Sequence, residues 1–257
     1  MICLSIAEND KIGQMEIESF GRVECQKRLK VDEAMNKIIC KICNSETDTW
    51  FDKQFEINYY YCNYCKFIFM DQNSIVSLDK EVEVYNQHDN NLDNKGYVKM
   101  FENFIDKAVL PYYQENIKKA ENIKKALEFG CGPGPVLAVL LRQQGFEVDI
   151  YDIYFAPEKV YENKTYDLIT STEVFEHLMD PLETCKLLTK HLKEDGILSI
   201  MTLFHPDSIK EFNNWWYRRD PTHISFYRPE TFEVMADKLG LKVLDFDDKN
   251  TLVMKKI

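Results

Sequence analysis

Apolar and polar positions change their period several times along the chain. In "YVKMFENFIDKAVL" (97–110), Tyr97, Phe101, Phe104, Ile105, Ala108 and Val109 fall at helical spacing and predict an amphipathic helix. From residue 126 onward, short apolar runs alternate with helical segments. "ALEF" (126–129) predicts a strand, followed by a glycine turn and a helix through "VLAVLLRQQ" (136–144). "FEVDIYD" (146–152) and "YDLITS" (166–171) predict two more strands, "PLETCKLLTKHL" (181–192) a helix, and "ILSIMTL" (197–203) a fourth strand. "PETFEVMADKLG" (229–240) reads as the last helix, with "LKVLDF" (241–246) and "TLVMKKI" (251–257) as closing strands. Strands and helices alternating at these lengths predict an α/β fold, a doubly wound and mostly parallel sheet. The last two strands, joined by "DDKN" (247–250), predict an antiparallel hairpin at one edge.

Upstream the pattern is different. Residues 1–35 are mixed and charged without firm periodicity and read as an N-terminal extension. Residues 36–75 hold a cluster of cysteines among aromatics, 76–125 read as a helical connector or cap, and 126–257 as the sheet domain. "ENIKKAENIKKA" (115–126) is a tandem hexapeptide, too short for a repeat architecture, and predicts a solvated helical stretch. With 45% hydrophobic and 29% charged residues, the chain has the makings of a sizeable core. Its net charge of −11 repels a phosphate backbone, which disfavours a nucleic-acid partner. No apolar run reaches the roughly 20 residues needed to cross a bilayer, so no membrane role is expected. "MICLSIAENDKIGQ" has no basic stretch before its apolar one and carries early acids, so a cytoplasmic location is expected. In that compartment the eight cysteines are thiols or metal ligands rather than disulfides. The oligomeric state is left open.

"CKIC" (40–43) and "CNYC" (62–65) are two C-x2-C pairs with 18 residues between them. Each pair forms a two-ligand knuckle. Two knuckles close a tetrahedral thiolate site suited to Zn(II), with Cys40, Cys43, Cys62 and Cys65 as ligands. Four thiolates leave no open position, so such a metal is structural. "YYYCNYCKFIF" (59–69) then reads as the second hairpin of a small zinc ribbon preceding the sheet domain. Cys131 fills the glycine turn as a small residue, and Cys3, Cys25 and Cys185 read as ordinary thiols.

In open α/β sheets the ligand crevice lies beyond the carboxyl ends of the strands. The turn after the first strand is "EFGCGPGP" (128–135), where Gly130, Gly132 and Gly134 permit close approach and positive φ. A dinucleotide loop grips a pyrophosphate through backbone N–H groups. Pro133 and Pro135 lack those groups, and Glu128 repels a diphosphate but attracts an ammonium. These features suit a cofactor without phosphate and with a cationic end, such as S-adenosylmethionine.

"LEFGCGPG" resembles the first motif of class I S-adenosylmethionine-dependent methyltransferases, and the order of elements resembles their Rossmann-like fold. The resemblance covers roughly residues 95–257 and implies cofactor contacts at Glu128, Gly130, Gly132 and Gly134. It also places Asp152, 18 residues past Gly134, at the ribose hydroxyls, and Thr172 and Glu173 in the cofactor pocket. Only 13 residues (153–165) separate Asp152 from the next strand. The sheet is therefore expected to lack one edge strand, and with it the family's usual adenine contact.

Directly after the third strand comes "STEVFEHLMDP" (171–181), which crowds Glu173, Glu176 and His177 together. A helical turn starting at Glu173 would put all three on one face, since i, i+3 and i+4 align. His223, in the aromatic loop "WWYRRDPTHISFYRPETF" (215–232), can return over the crevice. The run is similar to that of the O-methyltransferases of ubiquinone biosynthesis and of the small-RNA 3′-end 2′-O-methyltransferases. Carried over, the resemblance implies a divalent ion, Mg(II) or Mn(II), held by Glu173, Glu176, His177 and His223. In metal-free relatives the same run occurs with the acids capping the loop and the histidine packed or acting as a general base. Glu176, His177 and His223 are the candidate catalytic residues. Trp215, Trp216, Tyr217, Phe226 and Tyr227 are candidate core residues or a substrate wall, and Arg218 and Arg219 face an acidic substrate or balance the acidic surface. His88 and Asp89 in "YNQHDNN" (85–91) are further candidate lining.

The leading expectation is an enzyme that methylates the hydroxyl of a small molecule. C- or N-methylation of a sugar or other metabolite is the alternative within the class, since zinc-ribbon sugar methyltransferases share the module. A non-catalytic scaffold acting through the ribbon and a nicotinamide-dependent oxidoreductase are the readings from other classes. The intact glycines and Asp152 oppose the first of these, and the two prolines the second.

Overall fold

The computed structural model describes residues 37–86, 90–113 and 123–257. The extension before residue 36, Cys3, Cys25, His88, Asp89 and most of the hexapeptide lie outside the described residues.

The main sheet has six strands among the described residues, in the order β5-β4-β6-β7-β10-β9. These are β4 (Lys125–Phe129), β5 (Glu147–Tyr151), β6 (Tyr166–Thr172), β7 (Leu192–Met201), β9 (Leu241–Phe246) and β10 (Thr251–Lys256). β5, β4, β6 and β7 run parallel, while β10 is antiparallel to both β7 and β9. Every residue of β6, "YDLITST", is buried, as a central strand covered on both faces requires. Side chains alternate between two cores. Leu168 and Val253 face α2 (Lys95–Ala108) and α3 (Val136–Gln143). Ile169, Leu252 and Met254 face α4 (Pro181–His191) and α6 (Pro229–Leu239). The predicted fold class is thus the observed one.

Two boundaries differ for local reasons. Asn94 caps α2 by accepting the Tyr97 N–H at 3.1 Å, so the helix begins two residues before Tyr97. The fourth strand starts at Leu192 instead of 197, directly off the end of α4. Residues 153–165 carry turns and the bridge Asp152↔Ala156 but no strand, leaving β5 at the edge of the sheet.

The cysteine ribbon is built from β1 (Asp48–Asp52), β2 (Ile57–Tyr61) and β3 (Ile68–Met70), all antiparallel. Its sheet is completed by β8 (Ser225–Phe226), a strand from the C-terminal half of the chain, paired to β3 through Ile68↔Phe226 and Phe69↔Ser225. Between the two halves lies a core of Tyr59, Ile68, Met70, Phe212, Tyr217, Ile224 and Phe226. Phe212 and Phe226 are fully buried there, each worth about 1.5–3 kcal/mol of removed apolar surface. The ribbon is packed into the molecule rather than tethered to it. Two short helices, α1 (Leu78–Tyr85) and α5 (Ile209–Asn214), flank this region. No helix among the described residues is long and apolar enough to cross a membrane.

Candidate active site

The glycine turn leaves β4 toward the carboxyl edge of the sheet. Gly130 has φ +85° and donates its N–H to Tyr151 O at 2.7 Å. A Cβ there would lie 2.2 Å from Val174 Cγ2, so both conformation and space demand glycine. Gly132, at φ +62°, donates its N–H to Asp152 Oδ2 at 2.9 Å. Gly134 has an ordinary φ, but an added Cβ would fall 1.6 Å from the carbonyl oxygen of Asn90. Its role is to let the chain before α2 cross the turn.

Pro135 sits at the N-cap of α3 and offers no side-chain acceptor. Glu128 takes over the cap from the strand side, its Oε2 accepting the Ala138 N–H at 2.9 Å. Burial pushes the Glu128 carboxyl up to about 8. Asp152 is tied at both oxygens: Oδ1 accepts from the N–H groups of Tyr154 at 2.9 Å and Phe155 at 3.1 Å, and Oδ2 from Gly132. Oδ1 thus uses both of its lone pairs, and Oδ2 retains one for a further donor.

Above the turn lies a cleft of about 300 Å³. Glu128, Gly130, Gly132, Asp152, Thr172 and Glu173 line it together, and Gly134, expected beside them, is not among its lining residues. Tyr85, Tyr97, Tyr154 and Phe155 supply aromatic wall that the sequence reading missed. Tyr154 and Phe155 follow the second strand directly, and that position was the available signal. At the other end the cleft reaches Glu176, His177 and His223. Among its described lining residues there is no lysine or arginine.

The crowded stretch does not form the helical turn expected from Glu173. Glu173 itself takes φ +54°, a left-handed kink, and donates its N–H to Met201 O at 2.8 Å. The single 3-10 turn that follows spans Phe175–His177. The kink leaves the Glu173 carboxyl beside Glu176, with the Tyr217 hydroxyl 3.4 Å from its Oε2, but off the face that Glu176 shares with the histidines. Candidate ligand atoms of Glu176, His177 and His223 lie within 4.8 Å of one another, and Glu173 is outside that set. Burial and the neighbouring Glu176 carboxylate hold the Glu173 carboxyl well above its usual range.

Glu176 is held at both oxygens, each keeping a further lone pair: Oε1 accepts the Tyr217 O–H at 2.5 Å and Oε2 the Thr202 O–H at 2.7 Å. His177 Nδ1 lies 3.0 Å from Thr222 O, and His223 Nδ1 lies 2.7 Å from Tyr217 O. A carbonyl only accepts, so Nδ1 carries the hydrogen in both rings, and in the neutral form each Nε2 keeps its lone pair. The rings are 4.8 Å apart, and burial together with His223 pushes His177 down to about 3. Thr202 and Tyr217 are thus the direct partners of the Glu176 carboxylate. Tyr217 belongs to the aromatic loop, and Thr202 directly follows β7. Of the other loop aromatics, Phe226 and Tyr227 are core, while Trp216 is 65% exposed.

The cysteines form a second constellation. Cys40 and Cys65 Sγ are 3.5 Å apart, and Cys43 and Cys62 Sγ are 3.3 Å apart. Both knuckles fold alike: Asn44 and Lys66, each directly after a C-x2-C, take φ of 64° and 62°. Their N–H groups return to Cys40 O at 3.0 Å and Cys62 O at 2.9 Å.

Residues 101–245, more than half of the chain, match a family model described as a methyltransferase domain. The chain belongs to that family. It is a methyltransferase. No curated protein matches the methyltransferase in sequence. Among solved structures it is similar to a magnesium protoporphyrin IX methyltransferase from Synechocystis PCC 6803 with bound SAH, at 16% identity and a TM-score of 0.46, covering 70% of this chain and 94% of that one. The plantazolicin methyltransferase BpumL in complex with SAH is 17% identical, with a TM-score of 0.40 and coverage of 69% and 96%. An O-methyltransferase family protein from Burkholderia thailandensis is 12% identical, with a TM-score of 0.42 and coverage of 68% and 62%.

Proposed function

We propose that this methyltransferase acts on a hydroxyl of a small molecule, with a divalent ion, Mg(II) or Mn(II), held by Glu176, His177 and His223. The observation that carries this reading is their convergence at the far end of the cleft whose floor is the glycine turn. The donor set fits: one carboxylate and two imidazoles whose Nδ1 atoms are already committed to backbone carbonyls. Such an ion lowers the pKa of an acceptor hydroxyl by charge stabilisation. Tyr217 and Thr202 fix the Glu176 carboxylate, so it needs no reorientation to serve. His177, pushed down to about 3, is a weak proton acceptor at neutral pH, which favours a ligand over a general base. A cleft whose described lining carries acids and no lysine or arginine suits an uncharged acceptor over an anionic one. C-methylation is the second reading, since a carbon acid could also meet an ion at this place.

Titrating Mn(II) into zinc-loaded protein by calorimetry tests the ion, with binding near one equivalent expected. Incubation with labelled S-adenosylmethionine and a metabolite extract identifies the acceptor; a product labelled on carbon or nitrogen would overturn the hydroxyl assignment.

At the donor end, Glu128 is assigned to the ammonium and Asp152 to the ribose hydroxyls. At pH 7 the free protein holds Glu128 protonated, because its folded value lies near 8, and a cation favours the ionised form. Binding therefore expels a proton, and S-adenosylmethionine affinity should rise with pH up to about 8 and level off above. The slope is at most about tenfold per unit. Calorimetry between pH 6 and 9 measures it, and Glu128→Gln should flatten the profile. The same raised value makes Glu128 erode fold stability as pH climbs from its unfolded range through about 8.

The four cysteines are assigned to a structural Zn(II). Zinc–sulfur bonds of about 2.3 Å set tetrahedral sulfurs about 3.8 Å apart, close to the spacing already present.

A further inference from the structure

Arg218 neither meets the cleft nor balances the surface. It is fully buried: NH1 lies 2.5 Å from Asp52 Oδ2 on ribbon strand β1, and NH2 lies 3.1 Å from Gln54 Oε1 in the same hairpin. Its Nε donates to Phe212 O at 2.9 Å, NH2 also reaches Asn213 O, and the guanidinium lies 5.1 Å from the centre of the Phe55 ring. A buried ion pair is weak as a source of stability, because desolvation offsets its attraction, so its use is sought in what it specifies.

What it specifies lies one residue away. Tyr217 donates its O–H to Glu176, and its carbonyl receives the His223 Nδ1–H. Arg218 clamps the backbone on the other side of that turn, at Phe212 and Asn213, to the ribbon. A second link runs through Ile224. Its carbonyl accepts the N–H of ribbon Met70 at 2.9 Å, and its own N–H donates to Glu176 O at 2.8 Å. Ser225 Oγ then donates to Leu178 O at 2.7 Å. The ribbon is therefore joined on two routes to the segments that carry Glu176, His177 and His223.

We propose that the ribbon is a positioning element of the cleft, with Asp52 and Arg218 as positioning residues that hold Tyr217 and His223 against Glu176. The inference rests on the reading of that trio given under Proposed function. It predicts that ribbon residues far from the cofactor turn tune the far end of the cleft selectively.

Asp52→Asn in the full zinc-loaded chain tests it. Three quantities are compared with the parent: S-adenosylmethionine affinity, Mn(II) affinity, and the nitrogen spectrum of labelled histidines, which reports which ring nitrogen bears the hydrogen. Mn(II) affinity is expected to fall at least about tenfold, the scale seen when a ligand's supporting partner is removed. The His223 signals should change from a fixed Nδ1–H form to an averaged one, with S-adenosylmethionine affinity within threefold and zinc retained. Because Asp52→Asn leaves Arg218 buried without its counter-charge, Asp52→Leu combined with Arg218→Met serves as the variant that removes both charges. An unchanged His223 spectrum with unchanged Mn(II) affinity in a folded variant overturns the proposal, as does a parallel loss of S-adenosylmethionine affinity. Should the parent bind no Mn(II), the ion is refuted and the His223 spectrum alone decides the positioning.

Discussion

Glu176→Ala is expected to abolish detectable Mn(II) binding and to reduce methyl transfer by at least about a hundredfold, while S-adenosylmethionine affinity changes less than about threefold. The asymmetry follows from where its contacts go. Both oxygens of Glu176 are held by Tyr217 and Thr202, on the loop after α5 and at the end of β7, and neither touches the glycine turn. The variant should remain folded: it strands two hydroxyls, at about 1–3 kcal/mol each, but it also removes a buried carboxylate. Mn(II) calorimetry, donor calorimetry and labelled-methyl transfer on the same preparation separate the effects. Parent-like ion affinity in Glu176→Ala would remove the ion from the mechanism. Equal losses of donor and ion binding would mean that the substitution had collapsed the cleft as a whole.

Cys62→Ser is expected to bring bound zinc from one equivalent to near none. It should destabilise the whole chain by at least about 4 kcal/mol, which corresponds to a Tm lower by about 8–16 °C. In a tethered module the loss would stay local. Here β8 belongs to the ribbon sheet, and the same segment carries Ile224, bonded to both Met70 and Glu176. Melting the ribbon therefore exposes Phe212 and Phe226 and releases the loop holding Tyr217 and His223. Metal analysis, calorimetric melting and methyl transfer check the chain of events. A chelator-treated protein with parent Tm and activity would show that the four thiols need no metal to hold the fold.

Much of the cofactor end was legible because each part of it is local chemistry. A glycine at φ +85° has no substitute, so Gly130 announces its turn, and Asp152 directly follows an apolar strand, where it receives the Gly132 N–H. The two C-x2-C knuckles repeat one backbone conformation, each within a span of a few residues. The strand runs are equally local: a period of two over four to seven apolar residues encodes which face is buried.

The far end of the cleft was legible only in part. Spacing singles out Glu176 and His177, but the left-handed kink at Glu173, held by Met201 O, leaves that acid beside Glu176 and outside the set formed with His177 and His223. Helical spacing cannot foresee a kink whose partner lies on another strand. Arg218 and Asp52 are 166 positions apart, and β8 is two residues long, so neither pattern nor propensity marks them. The sequence by itself determined the strands, the glycine cradle and the cysteine knuckles, because short-range sterics and periodic burial decide those. Only the tertiary structure decided which acid joins the histidines and what holds them, because those contacts exist only once distant segments share one core.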